Sequence, residues 1–100
     1  MFSRAEAVFN FKHMKRSDIP TIEVLKAYQK YDQNRYSESI TEFPTEMLMK
    51  KYNCSEKLVY SAIQRDYNNG LIEFGISIRT GWLTDKGIDI LRDNQGIIMQ

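Results

Sequence analysis

The sequence predicts a mainly helical α+β fold, with three core helices, a β-hairpin and a closing helix, on the strength of three observations. Between residues 17 and 69 apolar side chains recur at helical spacing, interrupted by cap and turn residues. After Gly70 the period shortens to two, as in a half-buried strand, and at Thr84 a helical pattern resumes. A chain of 100 residues can bury one modest core. The expected organisation is a basic and aromatic segment over 1–16, one domain over 17–93 and a tail over 94–100.

In chain order, residues 1–16 set Phe2, Phe9 and Phe11 among Arg4, Lys12, Lys15 and Arg16. Phe2, Ala5, Val8 and Phe9 have the spacing of a short amphipathic helix. Three readings stay open: a terminal segment packed on the domain, a dimerisation helix, or a basic arm on a nucleic acid. Ser17-Asp18-Ile19-Pro20 is a helix start, with Ser17 or Asp18 as cap and Pro20 in the first turn. The first helix is expected over about 20–31, ended by Asp32-Gln33-Asn34. Residues 37–43, partly β-branched, read as one brief strand. Pro44 and Thr45 open a second helix through Met47, Leu48 and Tyr52, and Ser55 caps a third that runs to about Asn69. Asn69-Gly70 stops it, since glycine takes the left-handed cap conformation without steric cost. Ile72, Phe74, Ile76 and Ile78 then alternate with polar or small residues; either Gly75 or Thr80-Gly81 marks the hairpin tip. Trp82 is expected in the core, anchoring the hairpin. Thr84 caps a last helix containing Ile88, Ile90 and Leu91.

Composition narrows the function. Cys54 and His13 are the only cysteine and histidine, so zinc clusters and Cys–His or Ser–His pairs cannot be assembled from one chain. There is no phosphate-cradling glycine loop and no nucleophile elbow. The expectation is therefore a protein without catalytic residues, metal or cofactor, and not an enzyme. No stretch approaches the roughly 20 apolar residues of a membrane span. Arg4 and Glu6 stand where a secretory signal carries its apolar run, so a cytoplasmic location is expected. The net charge of +1 and pI near 7.8 are low for a nucleic-acid binder, whose pI often exceeds about 9. The distribution of charge matters more than its sum.

The most telling element is the junction of the second and third helices. Two helices meeting at a steep angle need a residue that accepts positive φ, and Asn53 stands there. Cys54 can tuck beneath both helices as a small hydrophobe, Ser55 caps the third helix, and Glu56 sets a negative charge on its positive end. The order of helix, short strand, helix, tight turn, helix, hairpin and helix is that of a winged helix-turn-helix, a common frame for reading duplex DNA. Asn53-Cys54-Ser55-Glu56-Lys57-Leu58-Val59-Tyr60-Ser61-Ala62-Ile63-Gln64-Arg65 through Gly70-Leu71-Ile72 resembles the helix-turn-helix of GntR-type repressors. That pattern runs G-V-S-R-T-T-V-R-E-A-L-R-R-L-E-x-x-G-L-I; Ser55, Val59, Ala62, Arg65, Gly70, Leu71 and Ile72 match it identically. Phe43-Pro44-Thr45-Glu46 resembles its L-P-S-E. Trp82-Leu83-Thr84-Asp85-Lys86-Gly87 is closer to the L-T-x-x-G that closes MarR- and PadR-type winged helices. The chain departs where that pattern has DNA-contacting arginines, here Glu56 and Tyr60, and where it has a core leucine, here Asp66. Either Tyr67 takes over that packing or Asp66 is paired at the domain edge. No counterpart of the GntR effector domain is present, so the resemblance implies no small-molecule ligand.

On a helical wheel Leu58, Val59, Ala62 and Ile63 share one face of the third helix, and Lys57, Tyr60, Ser61, Gln64 and Asn68 share the other. Lys or Arg can donate to guanine, Gln or Asn can pair with adenine, and Tyr or Ser can hold phosphate. The candidate DNA-binding residues are Lys57, Tyr60, Ser61, Gln64 and Arg65. Lys50 and Lys51 join them as phosphate contacts and Arg79 as a wing arginine for the minor groove; for these three an ordinary surface role is an equal alternative. The expectation is sequence-specific binding of double-stranded DNA by a transcriptional regulator or accessory factor. One winged helix reads only a few base pairs, so a homodimer on a symmetric site would suit it. Such small proteins occur in phages and mobile elements. The rival reading is a winged helix used as a protein-interaction module in a replication or regulatory assembly.

Overall fold

The computed structural model describes residues 14–34 and 42–99, with side chains as far as Asn94. The helix expected within 1–13 lies outside these residues, as does most of the strand expected over 37–43. The described residues form α1 (Thr21–Asn34), α2 (Pro44–Tyr52), α3 (Glu56–Asn68), β1 (Ile72–Glu73), β2 (Trp82–Leu83) and α4 (Asp85–Met99). Short 3-10 turns occupy Arg16–Asp18 and Ile78–Thr80. The fold is thus mainly helical α+β, with one two-stranded antiparallel sheet. Among the described residues no helix is long and apolar enough to cross a membrane.

The start of α1 differs from expectation. Asp18 does not cap it: its carboxylate accepts the Lys15 amide at 2.8 Å and closes the preceding 3-10 turn. The residue before a proline avoids the helical region. Ile19 is accordingly extended at φ −106°, ψ 97°, which delays the helix past Ser17 and Asp18. The amides of Glu23 and Val24 bond instead to the Pro20 carbonyl. From there α1 becomes the central element, burying Val24, Leu25, Ala27, Tyr28 and Tyr31 and packing against α2, α3, α4 and β2. Val59 and Ile63 of α3 have no exposed surface, as their register requires, and they join Leu48, Ile72 and Leu91 in the same core.

The α2–α3 junction turns at Asn53, whose φ of 50° and ψ of 54° are left-handed. The Cys54 amide reaches back to the Met49 carbonyl at 3.3 Å, the bond that closes a helix ending in a left-handed residue. Ser55 Oγ then accepts the Leu58 amide at 3.2 Å and starts α3. Glycine at position 53 should therefore be tolerated. Asn53→Val should cost on the order of 1–2 kcal/mol, because a β-branched residue is forced left-handed; urea unfolding of the two variants checks this. At its other end α3 closes in the same manner. Gly70 sits at φ 78°, its amide bonds to Tyr67 O, and the Leu71 amide bonds to Asp66 O. Those two bonds define a Schellman cap.

The hairpin is shorter than the alternation from Ile72 to Ile78 predicts. Only Ile72↔Leu83 and Glu73↔Trp82 pair, and Ile76 is entirely exposed. Two contacts draw the returning chain out of the ladder. The buried Tyr28 hydroxyl donates to Ile78 O at 2.5 Å, and the Arg79 guanidinium lies 4.4 Å over the Phe43 ring. Trp82, expected in the core, is 43% exposed because its register opposite Glu73 is on the outer face. Thr84 ties the hairpin to both neighbouring helices: its Oγ1 accepts the Gly87 amide at 3.0 Å and donates to Gly70 O at 2.6 Å. In α4 Leu91 is buried and Ile88 is 45% exposed. The helix runs to Met99, through residues that the sequence reading assigned to a tail.

Candidate nucleic-acid interface

At 3.6 residues per turn, α3 buries Val59, Ala62, Ile63 and Asp66, leaving the opposite arc to solvent. Lys57 and Gln64 are exposed there, Ser61 is half-buried, and Asn68 is exposed at the end of the row. Gln64 Nε2 donates to Asn68 Oδ1 at 3.1 Å, so the two amides lie together one turn apart. Lys57 has no partner among the described residues and bears no carboxylate neighbour on its own face. Lys57, Ser61, Gln64 and Asn68 thus form a polar strip along the helix.

Each flank of the strip is bounded by a different element. On one side, an open groove at the start of α3 is lined by Met14, Asn53, Cys54, Leu58, Lys57 and Ser61. Burial in its wall pushes the Cys54 thiol above its ordinary pKa. From Met14 the chain follows α3 until Arg65 donates to the carbonyls of Arg16 (3.1 Å) and Ile19 (2.9 Å). On the other side stand Tyr60 and the hairpin. Tyr60 is half-buried, and Tyr67 stacks on Phe74 with ring centroids 4.7 Å apart. Burial raises the Tyr28 phenol pKa, and neighbouring Tyr60 adds to that shift.

The remaining candidates are held elsewhere. Arg65 is spent inside the fold. Besides the two carbonyls, its Nε and Nη2 grip the carboxylate of Asp66 at 3.0 and 2.9 Å. Thr21 Oγ1 donates to the same carboxylate at 2.7 Å. Asp66 is fully buried, so of the two alternatives for its position, pairing is the one realised. Lys50 pairs with Glu42 at 2.7 Å and Lys51 with Glu23; the Lys51 contact is the chief reason the Glu23 carboxyl lies below its ordinary range. Both lysines line a groove with Glu23, Lys26 and Lys30, which shares no residue with the groove at Lys57 and Ser61. Arg79 folds back onto the start of α2, 3.3 Å from Glu46, and leaves the hairpin tip without a cation.

Sequence reasoning missed two parts of this surface. One is the chain from Met14 to Asp18 laid along α3, for which no sequence signal exists because a 3-10 turn of three residues has no periodicity. The other is the exposed apolar tip at Ile76. Among the described residues no group of His, Cys, Asp or Glu is arranged to hold a metal ion. Comparison with known proteins finds no match, whether with a family model, a curated protein or a solved structure.

Proposed function

We propose that this chain is a winged helix-turn-helix protein that binds double-stranded DNA in a sequence-specific manner, as a transcriptional regulator or accessory factor and without catalysis. In this reading α2 and α3 are the helix-turn-helix, α3 enters the major groove, and residues 72–83 are the wing. The observation that carries the reading is the polar strip Lys57, Ser61, Gln64 and Asn68. It stands on a helix fixed at both ends by caps, its base-reading groups are free of carboxylate partners, and the left-handed turn at Asn53 sets the helix off from α2. The resemblance of residues 53–72 to the GntR-type pattern supports it. With one such strip per chain, a homodimer on a symmetric site would supply the specificity.

Selection of tight-binding duplexes from a random pool, followed by titration, tests the reading. Gln64→Ala should relax preference at one base position by about 1–3 kcal/mol, the worth of a bidentate amide–adenine contact. Lys57→Ala should weaken binding to selected and random duplexes alike. The second reading, a protein-docking module, is favoured by the hairpin: Ile76, Trp82 and Tyr67 are exposed apolar surface of the kind that marks protein interfaces. It takes over if no duplex binds more tightly than about 10⁻⁴ M at low salt, the weak end of non-specific affinity.

A further inference from the structure

We propose that Lys15 and Arg16 form a second phosphate-binding element along the flank of α3 opposite the hairpin. The proposal rests on the DNA-binding reading and adds to it the contact that supplies most of the charge.

The need for such an element follows from the surface just described. Duplex binding draws on cations that neutralise phosphates, and the cations first expected to do so are committed elsewhere. Arg65 is closed around Asp66, Lys50 and Lys51 are paired with Glu42 and Glu23, and Arg79 is turned toward Glu46. Lys57 alone remains on the strip, and one lysine cannot hold a duplex. The charge lies instead at the start of the chain. Residues 1–16 hold Arg4, Lys12, Lys15 and Arg16 against the single carboxylate Glu6, whereas the rest of the chain holds 10 Lys and Arg against 12 Asp and Glu.

The fold delivers that charge to the right place. Met14 lines the groove that also contains Lys57 and Ser61, and the Arg16 carbonyl is fixed to Arg65 one turn beyond Ser61. Lys15 and Arg16 therefore leave the backbone beside the strip, and both side chains are exposed. The Asp18 carboxylate accepts the Lys15 amide, and neither it nor Glu56 at the start of α3 makes an ion pair with Lys15 or Arg16 among the described residues. With α3 in a major groove, an element running along its flank meets the phosphates of one strand, as the hairpin meets those of the other.

The test is the salt dependence of duplex binding by three proteins: the unaltered 100-residue chain, Lys15→Ala/Arg16→Ala, and Arg92→Ala. Arg92 is an exposed α4 arginine paired with Asp89 and serves as a control for net charge. Each lost phosphate contact should lower the slope of log K against log salt by about 0.9. The double variant should thus lose roughly two units of slope, with base preference and melting temperature unchanged, and Arg92→Ala should lose none. If the unaltered chain binds duplex and the double variant does not change the slope, the proposal is overturned while the DNA-binding reading stands. An equal loss in Arg92→Ala overturns it as well, because the effect is then one of total charge. If the unaltered chain binds no duplex, both fall together.

Discussion

Arg65→Met is expected to destabilise the protein by on the order of 3–5 kcal/mol, the usual consequence of removing one member of a buried ion pair. Asp66 has no exposed surface, and the guanidinium supplies two of its three hydrogen bonds. Without Arg65 the carboxylate keeps only Thr21. The same change releases the carbonyls of Arg16 and Ile19, and with them the chain that runs along α3. Replacing both partners by apolar residues, Arg65→Met with Asp66→Leu, should recover most of the loss, since no charge is then left buried. Urea unfolding of the single and double variants measures the difference. On the proposed DNA-binding reading, a weak Arg65 variant would report on folding and a weak Lys57 variant on contact.

Gly87→Ala should be about as damaging, at about 3 kcal/mol. A β-carbon there would stand 2.2 Å from the Leu71 carbonyl oxygen and 3.1 Å from its carbon. Both are backbone atoms, and the same carbonyl accepts the Thr84 amide at 3.0 Å. Neither partner can rotate away, so α4 must shift as a body, and overpacking of that kind typically costs 1–3 kcal/mol, occasionally more. For a domain of this size each kcal/mol lowers the melting temperature by roughly 4–8 °C. Thermal unfolding therefore reads the effect directly, and an unchanged transition would mean that α4 does not seat on Leu71. The glycine of the L-T-x-x-G motif has a physical role here: Thr84 caps α4 and Gly87 lets the helix approach the strand.

The boundaries of α3 were legible in the sequence because each is set by a residue whose chemistry forces it, whereas both ends of α1 and the end of α4 were not. Asn53 takes the left-handed turn, Ser55 caps α3, Gly70 closes it, and the register of Val59 and Ile63 follows from those ends. The hairpin was less legible. Alternation predicts a strand only where a partner strand and a covering layer exist, and past Glu73 the Tyr28 hydroxyl and the Phe43 ring hold the chain instead. Both contacts join residues far apart in sequence, as do the pairings of Lys51 with Glu23 and of Arg79 with Glu46. Asp66 at a core position of the resembled pattern pointed to a paired carboxylate, but nothing local names Arg65 as its partner, and nothing local to Lys51 reveals Glu23 on α1. The polar strip was visible as a helix face, but its flanks were not, since one is made by a segment without periodicity.

The most direct measurement is the perturbation of backbone amide resonances when a selected duplex is titrated into the unaltered 100-residue chain. The largest shifts are expected at Lys57, Ser61, Gln64 and Asn68, followed by Lys15 and Arg16, with the groove at Lys50 and Lys51 little affected. Shifts confined to Ile76 and Trp82, or none at all at saturating duplex, would contradict the assignment of α3 as the surface that reads DNA.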